Sequence, residues 1–368
     1  MHRPETREDV RGPFAASIGG PLPDATVRLI ERMPKAELHL HLDGSLRIDT
    51  ALELARTRGV DAPGTWVGMS AALVGPPRSP DQAELLRAFD LPIALMQDAE
   101  ALERTTVELV EAKAAERVRY IEIRWGPLLH VARGLALGDG IEAVVTGAER
   151  AARATGTTVR LICTALRSHD PADNAVLAET AARFRDRGLT GWDLAGPEAR
   201  FPDPLVHARA FEAARAGGLR VTLHAGEWGG AAQVRRALAT NPERIAHGPG
   251  TADDPDLMAE LRTRSVVLDL CPTSNAQATI VPSVAAHPIA RLHRAGNPVT
   301  LNTDDLTVSD LTLTEEYRNA VERIGLTLPE LWAIDRSALD VAFADDATLA
   351  PLRAEFDAWA AGIPELRA

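Results

Sequence analysis

Cysteine is almost missing from this sequence: only Cys163 and Cys271 occur, both inside apolar runs. That excludes a disulfide framework or a paired-cysteine metal knuckle and leaves two buried, reduced thiols. No stretch is long and apolar enough to span a bilayer. There is no basic stripe or polybasic tail, and the net charge is −12. Nucleic acid and an anionic membrane surface are therefore excluded as partners. Lysine is as scarce as cysteine, with Lys35 and Lys113 alone and arginine supplying the remaining positive charge. The N-terminal stretch carries Arg3, Glu5, Arg7, Glu8, Asp9 and Arg11 but no apolar signal core. It is expected to be a flexible leader over residues 1–25 of a cytoplasmic protein.

What is present is the composition of a globular protein, 45% apolar and 25% charged over 368 residues. Eight β-type apolar runs occur, at 36–42, 118–124, 159–166, 189–195, 219–224, 244–247, 266–271 and 299–304. Helix-spaced segments separate them, among them 141–155, 172–187, 204–216, 231–240, 254–264 and 288–295. Strands alternating with helices of this length indicate βα units, and eight of them fit an α/β (β/α)8 TIM barrel forming one domain over 26–368. The first and second strands are separated by far more chain than one crossover helix needs. An insertion of this size commonly forms a helical lid, here approximately 60–105, although a helical pair packed on the barrel flank suits the sequence equally. Extra helices follow the eighth strand, one opened by Thr327-Leu328-Pro329-Glu330, a hydroxyl cap with Glu three residues on.

Chemistry-bearing residues collect at the C-terminal tips of these strands, where barrel enzymes build their sites. His39 and His41, two residues apart on the first strand, project to the same side. An HxH pair is common on ordinary surfaces, but Leu38, Leu40 and Leu42 point the other way into an apolar shell. His224 ends the fifth strand and Asp304 the eighth. Three imidazoles and one carboxylate suit Zn²⁺, which can hold a water at a further position and lower its pKa; Fe²⁺ or Co²⁺ would fit the same ligands. The fourth strand, Gly191-Trp192-Asp193-Leu194-Ala195-Gly196, has no lysine to bridge a second metal, so one zinc per chain is expected. Glu227, three residues past His224, is placed as a general acid–base. His247 ends the sixth strand beside the metal, and Asp305 is free to bond a substrate. Singly, Glu227 or Asp305 would be a solvated loop carboxylate; jointly, independent surface residues should not all fall at strand ends. His130, His169, His207, His287 and His293 are not expected to be ligands.

At these residues the chain resembles the adenosine deaminase family of metal-dependent amidohydrolases. The matching stretches run in order from Pro34-Lys35-Ala36-Glu37-Leu38-His39-Leu40-His41-Leu42-Asp43-Gly44-Ser45 through Asp193-Leu194-Ala195-Gly196-Pro197-Glu198, His224-Ala225-Gly226-Glu227 and His247-Gly248 to Cys271-Pro272-Thr273-Ser274-Asn275 and Asn302-Thr303-Asp304-Asp305. The resemblance implies zinc on His39, His41, His224 and Asp304, with Glu227 donating a proton to purine N1 and His247 stabilising a metal-bound hydroxide. It further implies Asp305 at N7, the Gly196 backbone at N3 and Asp43 facing the ribose. The activity implied is hydrolysis of adenosine and 2′-deoxyadenosine to the inosines and ammonia. Adenine, a 5′-modified adenosine such as aminodeoxyfutalosine or methylthioadenosine, and another mononuclear metal-dependent hydrolysis are the rival expectations. The chain departs from the family at Leu306, where a proline is usual, and at Arg124-Trp125-Gly126-Pro127, where Arg-Tyr-Ser-Pro is common. Both departures bear on the sugar side of the expected pocket. Oligomeric state is not legible.

Overall fold

The structure, a computed structural model, describes residues 22–79 and 81–367. Most of the leader expected over 1–25 lies outside the described residues, and a first helix begins at its end, Asp24–Arg32. Eight parallel strands follow in sequential order around a barrel: β1 Lys35–His41, β2 Val118–Trp125, β3 Thr158–Leu166, β4 Leu189–Ala195, β5 Arg220–His224, β6 Arg244–Ala246, β7 Val267–Leu270 and β8 Val299–Leu301. They are buried almost throughout, as strands flanked by helices on the outside and side chains on the inside must be. The ring closes between β1 and the residues after β8. The His41 N–H donates to the Asp304 carbonyl at 2.7 Å, and the Asp304 N–H to the His39 carbonyl at 3.1 Å.

Three of the outer helices start at a carboxylate cap, in two cases followed by proline, whose missing N–H costs nothing in the first turn. Asp98, Asp170 and Asp254 each accept a backbone N–H at the head of Ala99–Ala115, Pro171–Ala182 and Pro255–Arg264. The predicted helix over 172–187 is shorter and gives way to a 3-10 turn at Arg185–Arg187.

After β1 come four helices, Ile48–Arg58, Trp66–Leu73, Gln82–Leu86 and Asp90–Leu95, then the long Ala99–Ala115. The last belongs to the barrel wall, so residues 99–105, expected in the lid, are its opening turns. It packs close to Leu137–Thr155 because Gly147 has no side chain; a Cβ there would stand 2.7 Å from the Glu103 carbonyl oxygen.

Phe343, just past the helix Leu328–Val341, plugs the floor of the barrel. Its N–H donates to Glu122, and its ring lies 3.7 Å from the Arg244 guanidinium. Gly191 makes the room, since a Cβ there would be 2.9 Å from that ring. The helix is opened by the predicted Thr327–Glu330 capping box. Above the plug the interior is ionic: Arg244 meets Glu122 and Asp269, and Arg124 lies between Asp193 at 3.3 Å and Asp269 at 3.7 Å. Neither lysine approaches the fourth strand's tip. Lys35 donates to the Met33 and Glu116 carbonyls, and Lys113 pairs with Glu37 at 2.9 Å.

Candidate active site

β1 is irregular where it matters. Its register against β2 shifts between Glu37 and Leu40. The Leu38 and His39 N–H groups both donate to Asn302 Oδ1, at 2.8 and 3.1 Å. With that side chain patching the bulge, His39 and His41 still project together, their Nε2 atoms 3.3 Å apart. His41 Nε2 lies 3.2 Å from His224 Nε2. Asp304 Oδ1 lies 2.9 Å from His39 Nε2 and 3.4 Å from His41 Nε2. Tetrahedral ligation at about 2.0–2.1 Å requires donor atoms about 3.3 Å apart, and these separations match it.

The tautomers fit a cation too. His224 Nδ1 is 3.0 Å from an Asp193 oxygen, which can only accept, so the hydrogen sits on Nδ1 and the Nε2 lone pair faces the centre. Burial lowers the pKa of His39, with Arg124 adding to the effect, and takes His41 down to about 4. Burial works against ionised Asp304, but the His39 and His247 rings outweigh it and hold the carboxyl well below its usual range. Ser274 Oγ donates to Asp304 Oδ2 at 2.6 Å, leaving Oδ1 for the centre. His39, His41, His224 and Asp304 can thus hold one divalent ion. His247 is also close: its donor atom and those of His39, His224 and Asp304 all lie within 4.8 Å of one another.

Asp304 and His247 were expected as the last residues of their strands. Both lie just beyond, with φ of +71° and +70°. Left-handed backbone is rare outside glycine and clusters at functional sites. Here it follows the end of each strand and accompanies the turn of each side chain into the mouth.

The mouth opens into a cavity of about 540 Å³, within the usual range for a small-molecule site. Leu85, Leu86, Phe89 and Ile93 of the inserted helices form its apolar wall, so this part of the insertion covers the site. Glu227, Asp305, Asp43 and Gly196 line it as well. Burial, then the nearby Asp304 and Glu198, raise Glu227 well above its ordinary value, which favours the protonated acid. Glu198 Oε2 accepts the N–H groups of Trp228 and Gly229, at 3.0 and 2.9 Å, and fixes the loop behind that acid. Asp305 is raised likewise, by burial first and then by Asp304 and Asp43, and its buried Oδ1 has no hydrogen-bond partner among the described residues. Gly44 permits this placement, because a Cβ there would fall 1.7 Å from that oxygen.

Asp43 is held more firmly than expected. Its Oδ2 accepts the Gly126 N–H at 3.0 Å, and its Oδ1 lies 2.6 Å from His130 Nε2. His130 Nδ1 reaches the Met96 carbonyl at the end of the lid helix Asp90–Leu95. Sequence reading passed over His130, Gly44, Glu198 and Asn302. The family-like stretches contain the last three but assign them nothing. The Leu306 departure is meaningful: its N–H, which proline lacks, donates to Ser45 Oγ, and Ser45 donates to the His41 carbonyl.

Comparison with known proteins agrees with this geometry. The adenosine deaminase family model matches residues 34–359. An adenosine deaminase of Vibrio vulnificus is 37% identical over 318 residues, covering 86% of this chain and 96% of that protein. A solved adenine deaminase from Arthrobacter aurescens superposes with a TM-score of 0.83 at 26% identity, over 90% of this chain and 100% of the other. A Burkhoderia ambifaria amidohydrolase solved with bound Zn gives a TM-score of 0.85 at 28% identity, over 94% and 97%.

Proposed function

The chain belongs to the adenosine deaminase family, and from that premise we propose that it hydrolyses adenosine and 2′-deoxyadenosine to the corresponding inosines and ammonia, with one zinc ion on His39, His41, His224 and Asp304. The observation that carries this reading is geometric: the carboxyl of Glu227 stands on the wall of a cavity also lined by His41, His224, His247 and Asp304, with His39 buried behind them. A zinc ion in that cluster supplies Lewis acidity, bringing the pKa of water toward neutrality.

The chain's own groups do the rest. Glu227 gives its proton to purine N1, which makes C6 electrophilic. His247 orients the attacking oxygen, and Asp304 turns Oδ1 to the same centre. Asp305, its pKa raised by burial and its Oδ1 without a partner among the described residues, shares a proton with N7, while the Gly196 backbone meets N3. The apolar wall of Leu85, Phe89 and Ile93 excludes bulk water and strengthens each of these bonds. Asp43 accepts from a ribose hydroxyl with the lone pairs left by Gly126 and His130. That prior engagement of Asp43 favours a second reading, adenine, which needs nothing from this residue.

Absorbance change on a panel of adenosine, 2′-deoxyadenosine, adenine, methylthioadenosine and adenosine 5′-monophosphate tests the proposal, with metal content measured on the same zinc-loaded protein. Turnover fastest on the two nucleosides at one zinc per chain is expected. Faster turnover of adenine would move the reading to the second substrate, and no turnover of any 6-aminopurine would overturn both.

A further inference from the structure

Two buried residues beside the site have no part in the chemistry above: Asn275, which ends the stretch beginning at Cys271, and His287. Their hydrogen bonds have a defined direction because one end is a backbone amide, which can only donate. The Ile289 N–H donates to His287 Nδ1 at 3.3 Å. His287 therefore keeps its ring hydrogen on Nε2, 3.2 Å from Asn275 Oδ1. This sets the orientation of the amide, with its oxygen toward His287 and its NH₂ toward His247 Nδ1 at 3.1 Å. His247 Nδ1 must then accept, and its own hydrogen lies on Nε2. That nitrogen faces the centre, 3.9 Å from Asp304 Oδ2. Burial takes His287 down to about 3, in keeping with a neutral ring.

The neighbouring ring is wired the opposite way. His224 gives its Nδ1 hydrogen to Asp193 and turns a lone pair to the centre. The two ring centroids are 5.1 Å apart. Distance alone would admit His247 to the ligand set along with His39, His224 and Asp304; the position of its hydrogen does not.

We propose that Asn275 and His287 are positioning residues, a relay running from the Ile289 amide that fixes His247 as the Nε2–H tautomer. The relay keeps His247 out of the metal's ligand set and commits it as a hydrogen-bond donor to the attacking oxygen. The inference rests on the reading of a metal-assisted deaminase given above.

Nitrogen NMR of the His247 ring in the wild-type protein, with and without zinc, reads the tautomer directly. A hydrogen on Nε2 and a bare Nδ1 are expected, and the reverse would overturn the relay. Asn275→Asp reverses its polarity by replacing the donor with an acceptor. The cobalt-substituted variant should keep one metal per chain and show a visible spectrum altered by a further nitrogen ligand. Its kcat should fall about a hundredfold or more, the scale of one lost transition-state donor, with KM little changed. His287→Gln, which can still donate to Asn275, should retain most activity, whereas His287→Leu should not. Equal losses in these two variants, or an unchanged cobalt spectrum in folded Asn275→Asp, would reduce the relay to packing. If wild-type protein deaminates no 6-aminopurine, the functional reading fails while the NMR result still decides the tautomer.

Discussion

At the barrel floor Arg244 is clasped by Glu122 and Asp269 over the Phe343 ring, and Lys113 meets Glu37 at 2.9 Å. At the mouth, the groups crowding Glu227 are Asp304 and Glu198, and those crowding Asp305 are Asp304, Asp43 and Glu227. One region buries charges with their opposites, and the other buries acids among acids. The floor is a closed set of pairs, which holds the strands together at little net gain over apolar packing but at high cost if one partner is lost. The mouth is held incomplete: among the described residues the buried Asp305 Oδ1 and Glu198 Oε1 have no hydrogen-bond partner, the kind of unsatisfied polar setting that marks functional sites. The left-handed backbone at His247 and Asp304 lies in this second region, where strain serves the chemistry.

The contrast is sharpest in Glu227→Gln, which keeps the shape and removes the acid. We expect kcat to fall about 10²–10⁴-fold, with metal content intact and thermal midpoint unchanged or higher, because a crowded carboxyl has been relieved. Retained turnover with a lower midpoint would break the comparison.

At the floor Arg244→Met should do the opposite, leaving Glu122 and Asp269 without their arginine. A loss of about 3–5 kcal/mol should appear as a lower urea midpoint, while the protein that remains folded keeps its kcat.

The smallest effect is expected at Glu316, which sits between the two regimes. It accepts the Thr273 N–H, next to the serine that bonds Asp304, and burial raises it to about 7 despite its hydrogen bonds to Thr273. Between pH 4.5 and about 7 the folded protein then binds the extra proton, so stability should fall as pH rises through that window. The fall should be at most about 3 kcal/mol, read from urea midpoints across the window. Glu316→Gln should flatten the profile, and an unchanged slope would remove Glu316 from the account.

Local pattern was sufficient for much of this. Alternation along β1 paired His39 with His41, strand–helix spacing indicated the barrel, and Thr327 with Glu330 marked a helix start three residues ahead of its first turn's end. The bulge between Glu37 and Leu40 was not legible, because it depends on Asn302, more than 260 residues away in the chain. Nor was the role of His130: nothing near it in sequence signals Asp43, and the two meet only because β1 and β2 are neighbours.

The amino-acid sequence by itself determined which chemical groups are available and at which strand tips they stand, since strand period and helix caps depend on neighbours a few residues apart. Tertiary structure alone decided what state each group is in. The raised pKa of Glu227, the Asn275 contact at His247 Nδ1 and the room for Asp305 beside Gly44 depend on desolvation and on contacts between distant segments, and these arise only when the ring of strands closes.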